Sequence, residues 1–273
     1  MHMVIDIRNA LYRAVYAYKK QNAKNSPIRV LLGQIRGWYD FISPDSIHIA
    51  WDAPRTKVWR RTLLETYKDR TSSQYVDDLR EHLTELTIVC KDVFAGLGFR
   101  QYYQQSMEAD DLVYAISHSL QPEKVVIIST DSDLIQIPYR MPHVSVYDPI
   151  NGNYTPVPSK DPVLIKALKG DKSDNIAGYW KVGPVNAEKL MDSRTSMQEF
   201  LDARGRETLE RNLKLIDLSL NPHLLDNRLY VIKMLSKKVA YNEETIKEAI
   251  KKHNIPDLIS DLHQLTGIYS DLK

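Results

Sequence analysis

Carboxylate residues recur in short motifs along the chain, and their spacing points to metal chemistry. In the motif Lys169-Gly170-Asp171-Lys172-Ser173-Asp174-Asn175, two aspartates lie three residues apart, ahead of Gly178. If this turn opens a helix, both carboxylates project on one side of it and repel each other. A hard cation such as Mg²⁺ relieves that repulsion with oxygen ligands alone. A solvated, Asp-rich turn is the simpler explanation when the motif is taken by itself.

Further acids follow predicted strands or open a predicted helix. Buried strands over residues 3–7, 46–51 and 125–129 each lead into aspartates, and the acid run at 108–111 opens a helix. Because ligand sites in an open parallel sheet lie beyond the carboxyl ends of its strands, we expect these acids at one edge. Two Mg²⁺ ions, with Mn²⁺ as a substitute, would resolve the repulsion and support phosphodiester hydrolysis. The predicted metal ligands are Asp6, Asp52, Glu108, Asp110, Asp111, Asp131, Asp133, Asp171 and Asp174.

A basic segment at residues 54–76 separates the second strand from the acid run. Its basic residues far outnumber its acids, and aromatic residues are interleaved with them. On a helix, Lys57, Arg61 and Lys68 share one face, which suits single-stranded nucleic acid with cations on phosphates and rings under bases. A solvated helix whose aromatic side chains enter the core explains the segment equally well. The residues expected to contact nucleic acid here are Arg55, Lys57, Arg61, Tyr67 and Arg70.

Composition limits the class of protein. The chain has 273 residues, of which 43% are hydrophobic and 26% charged, as in ordinary globular proteins. The single cysteine, Cys90, excludes an internal disulfide framework and a multi-cysteine zinc site. No apolar run approaches the length of a membrane span, and the N-terminus lacks the pattern of a signal peptide. These features predict a cytoplasmic protein without membrane partners.

The second half of the chain reads as helices around a glycine-containing hairpin at residues 178–187. Helices are predicted at 159–169, 195–219 and 243–262. A hairpin between helices presents backbone N–H groups to a phosphate, and an ordinary helix–turn–helix fits the same pattern. The residues expected to contact nucleic acid here are Lys181 and Gly183.

These patterns predict an α/β fold with a mainly parallel central sheet and flanking helices. A basic helical arch is expected within residues 54–97. We divide the chain into a catalytic α/β region, 1–157, and a helical region, 158–273, packed on it.

The motifs resemble, in order, those of the 5′ nucleases, a family that includes flap endonucleases and the 5′→3′ exonuclease domains of bacterial DNA polymerases. Glu108-Ala109-Asp110-Asp111 matches the family's E-A-D-D, and Thr130-Asp131-Ser132-Asp133-Leu134 is similar to T-x-D-x-D-L. Gly170-Asp171-Lys172-Ser173-Asp174-Asn175-Ile176 is similar to G-D-x-S-D-N-I, and Tyr67-Lys68-Asp69-Arg70 resembles Y-K-x-x-R. A fifth motif is the segment of residues 4–14, which carries Asp6. The likeness covers roughly residues 3–190, and five motifs in register make it specific.

The resemblance implies roles for particular residues. All nine acids fall on family metal-site positions, and Lys68 falls on the lysine that contacts the scissile phosphate. Arg60 and Arg70 fall on basic positions of the arch or gateway, and Arg60 is expected to be catalytic together with Lys68. Residues of about 173–192 correspond to the helix–hairpin–helix that grips the duplex backbone. Lys181 stands where that hairpin usually has its first glycine, so we expect its ammonium to contact a phosphate.

The function that follows is a Mg²⁺-dependent, structure-specific 5′ nuclease with exonuclease and flap endonuclease activity. Its expected substrate is DNA with a 5′ flap, nick or free 5′ end, extending to RNA primers in RNA–DNA hybrids. A monomer is expected, encoded by a bacterium or by a phage that uses the host cytoplasm. Two alternatives are a PIN-type ribonuclease, against which the basic segment and the hairpin argue, and a catalytically silent DNA-structure-binding protein, against which the complete acid set argues.

Overall fold

The computed structural model describes residues 1–21, 26–69 and 74–262 together with 265, 269, 270 and 272. A six-stranded sheet has the spatial order β3-β2-β1-β4-β5-β6, and only β6 is antiparallel to its neighbour. A separate hairpin pairs β7 with β8. The strands are β1 His2–Asp6, β2 Ser46–Ala50, β3 Arg100–Tyr102, β4 Val125–Ile128, β5 Val144–Asp148, β6 Asn153–Tyr154, β7 Gly170–Asp171 and β8 Ile176–Ala177. The predicted α/β fold with a mainly parallel sheet is confirmed.

Helices cover both faces of the sheet and one edge. They are α1 Ile7–Gln21, α2 Pro27–Ile42, α3 Gln74–Gly96, α4 Ala109–Ser119, α5 Gln136–Arg140, α6 Pro162–Lys169, α7 Pro184–Met191, α8 Arg194–Arg204, α9 Glu207–Ile216, α10 Leu224–Leu235 and α11 Glu243–His253. Among the residues that the structure describes, no helix has both the length and the apolar character needed to cross a membrane.

Alternation along the central strands builds two cores. In β1, Met3 and Ile5 pack with α1, α2, α3 and α11, whereas Val4 packs with α4, α5 and α10 on the opposite face. Because both faces are covered, the inner strands read as continuous apolar runs. Ile246 of α11 and Val231 of α10 are fully buried in these cores. Residues from both sides of the predicted boundary at residue 157 therefore contribute to each core of the sheet.

Three helix predictions are wrong. Residues 54–69 form two 3-10 turns, Arg55–Lys57 and Trp59–Thr62, followed by further turns, so this part of the arch has no α-helical face. The predicted helix 195–219 breaks at Gly205, whose φ of +81° ends α8. The predicted helix 243–262 continues beyond His253 only as a 3-10 turn, Pro256–Asp261.

The motif that contains Asp171 and Asp174 forms the β7–β8 hairpin rather than the start of a helix. Gly170 has a φ of +77°, and a Cβ on it would lie 2.3 Å from the Gly178 nitrogen. A Cβ on Gly178 would lie 2.1 Å from the Lys169 carbonyl carbon. Only glycine fits two backbones this close, so both positions are fixed by packing.

Candidate active site

An open pocket of about 830 Å³ lies beyond the carboxyl ends of β1, β2 and β4. The strand ends, the start of α4 and the β7–β8 hairpin bring acids to it from five segments. Parallel strands deliver their following residues to the same edge, which explains the convergence. Eight of the nine predicted carboxylates line this pocket, namely Asp6, Asp52, Glu108, Asp110, Asp131, Asp133, Asp171 and Asp174.

Four of these acids, Asp6, Asp52, Asp110 and Asp131, make up what we call the carboxylate side of the pocket. Burial and repulsion by Asp52 and Asp131 raise the pKa of Asp6 to about 7. Burial and the charge of Asp131 raise the pKa of Asp110 well above its usual value. Burial and the neighbouring Asp133 likewise raise the pKa of Asp131. The carboxylate side therefore resists holding all its negative charges at once.

Hydrogen bonds on the carboxylate side come mostly from neutral groups. The Ser129 hydroxyl donates to Asp6 at 3.0 Å, and the Ala109 N–H donates to Asp52 at 2.9 Å. The Arg8 guanidinium lies 3.6 Å from Asp52 and lowers the pKa of Asp6 only as the smallest of five contributions. These contacts orient the carboxylates and leave most of their repulsion in place.

The remaining acids surround two ammonium groups and make up what we call the lysine side. Lys166, on the last turn of α6, donates to Asp133 and lies 2.5 Å from Asp171. Although burial opposes it, the Lys166 contact and the Ser173 hydrogen bonds lower the pKa of Asp171 to about 2. The lysine side consists of Glu108, Asp133, Asp171 and Asp174 with Lys68 and Lys166.

Lys68 is the second ammonium group of the lysine side. Its Nζ lies 2.6 Å from Glu108 and 3.7 Å from Asp174. Despite burial, Arg60 and Lys68 lower the pKa of Glu108 to about 2. The pKa of Lys68 is raised in turn, because Glu108 and other negative groups outweigh the cost of burial. Lys68 is therefore held as a cation at the pocket rim, with 21% of its side chain exposed.

The donor chemistry of the pocket fits divalent cations. Asp133, Asp171 and Asp174 each offer a carboxylate oxygen, and these oxygens lie within 4.8 Å of one another. Carboxylate oxygens suit a hard cation, and the raised pKa values of the carboxylate side show unrelieved repulsion beside them. Both observations favour a metal that adds positive charge to this pocket.

Asp111 is the one predicted ligand that the structure places away from the pocket. Arg60 pairs with both of its oxygens at 2.8 Å, and the Trp59 indole and the Glu108 N–H donate to it as well. Asp111 is 1% exposed and completes the capping box of α4. The prediction that Asp111 is a metal ligand is corrected, because both of its carboxylate oxygens accept hydrogen bonds from the buried Arg60 guanidinium.

Arg60 also differs from the expected gateway residue. Its guanidinium is 2% exposed, donates to Glu108 at 2.7 Å and donates to the Leu215 carbonyl at 2.8 Å. A buried fork of this kind cannot reach a phosphate at the pocket surface. Arg60 is therefore a positioning residue that fixes Glu108 and the start of α4.

The basic segment divides into buried and accessible residues. Tyr67 is 3% exposed, and its hydroxyl donates to Glu108 at 3.1 Å, so its ring offers no surface for a base. Arg55 lines the pocket, Lys57 is exposed, and Arg61 donates to the Tyr67 carbonyl. Arg70 lies outside the described residues.

Hydrogen bonds join the segment 66–69, at the base of the arch, to the β7–β8 hairpin. The Asn175 side chain donates to the Thr66 and Asp69 carbonyls at 2.8 and 2.6 Å. The Lys68 N–H donates to the Asp174 carbonyl at 3.2 Å, and Lys68 adopts a φ of +53°. These bonds couple the position of the Lys68 ammonium to that of the hairpin acids.

The glycine-containing turn joins β8 to α7. Lys181 is exposed with a φ of +61°, and Gly183 is the residue before α7. The flanking helices are α6 and α7, so the segment predicted at 173–192 contains only the second helix of the pair.

Lys166 is the main site residue absent from our sequence prediction. It lies five residues before Asp171, on the helix leading into the motif, where a lysine also suits the negative end of the helix dipole. A lysine at the end of a helix therefore needs no further explanation in the sequence. Its contact with Asp133 and Asp171 arises only in the folded chain, after the turn at Gly170.

Comparison with known proteins identifies the family. The domain described as 5′-3′ exonuclease, N-terminal resolvase-like domain matches residues 1–164. The chain belongs to this family. Flap endonuclease Xni from Colwellia psychrerythraea is 30% identical over 177 residues, covering 59% of each chain. DNA polymerase I from Streptococcus pneumoniae is 26% identical over 238 residues, which cover 77% of this chain and 26% of the polymerase. The chain thus spans less than two thirds of either relative.

A solved structure has the same fold. The bacteriophage T5 flap endonuclease, in a pseudo-enzyme–product complex with DNA and metal ions, aligns with a TM-score of 0.65 and 19% identity. The alignment covers 93% of this chain and 99% of the phage protein. The family assignment agrees with the resemblance carried by the sequence motifs.

Proposed function

We propose that this chain is a divalent-metal-dependent 5′ nuclease that hydrolyses phosphodiester bonds in DNA, as an exonuclease and at 5′ flaps. The observation that carries this proposal is the convergence of eight acids from five segments on one pocket, with the Lys68 ammonium at its rim. The names of the relatives, flap endonuclease and DNA polymerase I, support the same activity.

Each side of the pocket would bind one metal ion. Asp133, Asp171 and Asp174 would hold one cation, and the carboxylate side would hold another. Such cations, Mg²⁺ or Mn²⁺, stabilise charge on the reacting phosphate and lower the pKa of water. Lys68 would contact the scissile phosphate, where a fixed cation stabilises the charge that develops as the bond breaks.

A groove beside the pocket favours a single-stranded 5′ end as part of the substrate. It has a volume of about 710 Å³ and shares Arg8, Arg55 and Lys68 with the pocket. Along it, Lys91 lies 5.1 Å from the centre of the Tyr103 ring, which is 41% exposed. Cations with aromatic rings suit phosphates and bases of a single strand, which supports action on flaps and free 5′ ends. Action on RNA primers within RNA–DNA hybrids, as a monomer in the cytoplasm, belongs to the same proposal.

One assay separates this function from its alternatives. The chain is incubated with end-labelled 5′-flap DNA, an RNA–DNA hybrid and matched single-stranded RNA, each with Mg²⁺, Mn²⁺ or EDTA. We expect cleavage of the flap near its base with either metal and none in EDTA. Cleavage of the single-stranded RNA alone would identify a ribonuclease, and tight flap binding without cleavage in either metal would identify a binding protein.

The role of Lys68 is tested by single-turnover kinetics. Lys68→Ala should lower the rate at saturating enzyme by roughly 10²- to 10³-fold, because the lost contact acts in the transition state. Lys57→Ala is the matched control: Lys57 is an exposed lysine of the same segment that is predicted to contact nucleic acid, so its loss should lower affinity and leave the rate at saturating enzyme unchanged. A loss of affinity with an unchanged rate would make Lys68 a phosphate anchor only.

A further inference from the structure

Helix α10 carries apolar residues on two opposite faces. One face packs into the core of the sheet, where Val231 is fully buried. On the other face, Leu225, Leu229 and Ile232 are 66%, 57% and 51% exposed. Because these residues are spaced by four and three positions, they form one continuous row, which we call the α10 stripe. A surface helix usually has polar residues opposite its buried face, so the stripe is suited to packing against another molecule.

The fold holds α10 in a fixed position. The Tyr103 N–H donates to the Tyr230 hydroxyl at 3.2 Å. The Arg100 guanidinium donates to the carbonyls of Met234 and Lys237 at 3.1 and 2.8 Å, and it thereby caps the end of the helix. These bonds join α10 to β3 and to the residue that follows β3. The stripe is therefore pre-formed, and the binding of a partner there costs little backbone entropy.

Positive charge surrounds the stripe. Residues 220–240 contain four basic residues and one acid, Asp226. By helical periodicity, Arg228 and Lys233 lie on opposite sides of the stripe. Lys237 and Lys238 follow the end of the helix and are exposed. An apolar row with a positive rim is complementary to an apolar row with a negative rim.

We propose that the α10 stripe binds an amphipathic helix of a partner protein, one whose apolar row is flanked by Asp and Glu. Residues spaced by three and four positions form the ridges that pack into the grooves of a second helix. The acids of that helix face Arg228 and Lys233. A second copy of this chain fits less well, because two positive rims would then face each other. A nucleic acid also fits less well, because Leu and Ile offer no aromatic ring on which a base can stack.

A helix bound to the stripe leaves the active site open. In the part of the chain that the structure describes, the lining of the active-site pocket includes no residue of α10. Helix α10 packs instead against α4, whose first turn carries Asp110. The partner therefore lies beside the catalytic region without covering its acids, and the stripe can be altered without a change in the chemistry.

A synthetic peptide tests the proposed surface. The probe is a fluorescein-labelled helix of about four turns with a row of Leu flanked by Glu. A second peptide has Lys in place of Glu, and a third has the composition of the first in scrambled order. Fluorescence anisotropy with the full chain should show the Glu-flanked peptide binding about tenfold more tightly than the other two, with a smaller difference at high salt. Equally tight binding of either control peptide, or no binding of the probe, would refute the proposal.

Variants of the stripe assign the binding to α10. Leu229→Gln should weaken the binding of the Glu-flanked peptide about tenfold, and Lys233→Glu should shift the preference towards the Lys-flanked peptide. Ile150→Gln is the matched control, because Ile150 is 68% exposed in the β5–β6 turn. Urea unfolding should be nearly the same for wild type and Leu229→Gln, because the side chain is exposed. An unchanged peptide affinity in Leu229→Gln would place the binding elsewhere and overturn the proposal.

The two other occupants of the stripe give different results. A dimer of the wild type in sedimentation, lost in Leu229→Gln, would replace the partner protein with a second copy of this chain. Weaker binding of flap DNA by Leu229→Gln in EDTA would instead assign the stripe to the substrate. We expect neither result, and we expect Leu229→Gln to cleave flap DNA at the wild-type rate. Because the peptide experiments need no metal and no DNA, they stand or fall separately from the cleavage assay.

Discussion

The carboxylate side and the lysine side belong to one pocket but solve the problem of clustered charge differently. On the lysine side, despite burial, Arg60 and Lys68 lower the pKa of Glu108 to about 2. Lys166 and Ser173 likewise lower the pKa of Asp171 to about 2. On the carboxylate side, burial and mutual repulsion raise the pKa of Asp6 to about 7. The lysine side is therefore largely compensated by cations without metal, although burial raises the pKa of Asp174 there, whereas the carboxylate side is not compensated.

This difference indicates how metal binding is linked to stability. A cation on the carboxylate side relieves repulsion that the fold already bears, so it should stabilise the protein as it binds. On the lysine side, a cation must first displace or neutralise the effect of Lys166.

The largest effect is expected from Asp131→Asn on the carboxylate side. The variant should lose stabilisation of the transition state rather than of the bound substrate. Turnover of flap DNA with Mg²⁺ should therefore fall by roughly 10³-fold, while flap binding persists. Asp226→Asn, at an exposed position of α10, is the control and should retain wild-type turnover. Near-normal cleavage by the Asp131 variant would remove the carboxylate side from the chemistry.

Two adjacent acids should respond oppositely in stability. Asp111→Asn leaves the Arg60 guanidinium buried without its full countercharge and should cost about 3 to 5 kcal/mol in the free energy of unfolding. Asp110→Asn removes a repelling charge from the carboxylate side and should stabilise the metal-free protein. Urea unfolding in EDTA measures both. Similar losses of stability in the two variants would contradict the division of roles.

The pH dependence of stability should expose the carboxylate side. The pKa of Asp6 is about 7 when folded and metal-free, against about 3.9 when unfolded, so the folded state holds the proton between these values. The contribution of protonated Asp6 to the free energy of unfolding is fully present below about pH 4 and is lost as the pH rises towards 7. Asp6→Asn should remove about 2 to 3 kcal/mol of the decline between pH 5 and 8 in EDTA.

Mg²⁺ provides the control for this pH experiment. Saturating metal should flatten the wild-type profile over the same range, because the cation holds the carboxylates ionised. The lysine side gives the opposite slope at lower pH, since the lowered pKa values of Glu108 and Asp171 make their stabilisation disappear on acidification below about pH 4. Parallel profiles for wild type and Asp6→Asn in EDTA would show that Asp6 is not the group that titrates.

The smallest effect is expected from Lys166→Met. Removal of an ammonium that competes for Asp133 and Asp171 should raise the affinity of one Ca²⁺ or Mn²⁺ site about tenfold and lower metal-free stability. Titration calorimetry measures the affinity. Lys169→Met, at the exposed end of α6, is the matched control. A weaker metal affinity in the Lys166 variant would mean that the lysine helps to build the site rather than compete for it.

The elements that position the site were largely predictable, because their signals are local. The apolar runs before Asp6 and Asp131 predicted β1 and β4, since a strand buried on both faces needs an unbroken apolar sequence. The segment at 54–69 was not predictable in this way. The spacing of its basic residues suggested one face of a helix with interleaved aromatic residues, but Trp59 and Tyr67 are buried from separate turns by contacts with α4 and the β7–β8 hairpin.

A parallel sheet with acids beyond its strand ends could be predicted from the sequence, because strand patterns and motif spacing are properties of the chain alone. The role of each acid depends on how the chain folds. Asp110 and Asp111 are neighbours in sequence and open the same helix, yet one faces the pocket and the other is held by Arg60, which comes from 51 residues away. Burial and the distance to a charge fix the ionisation of each carboxylate, and both arise only when distant segments pack together.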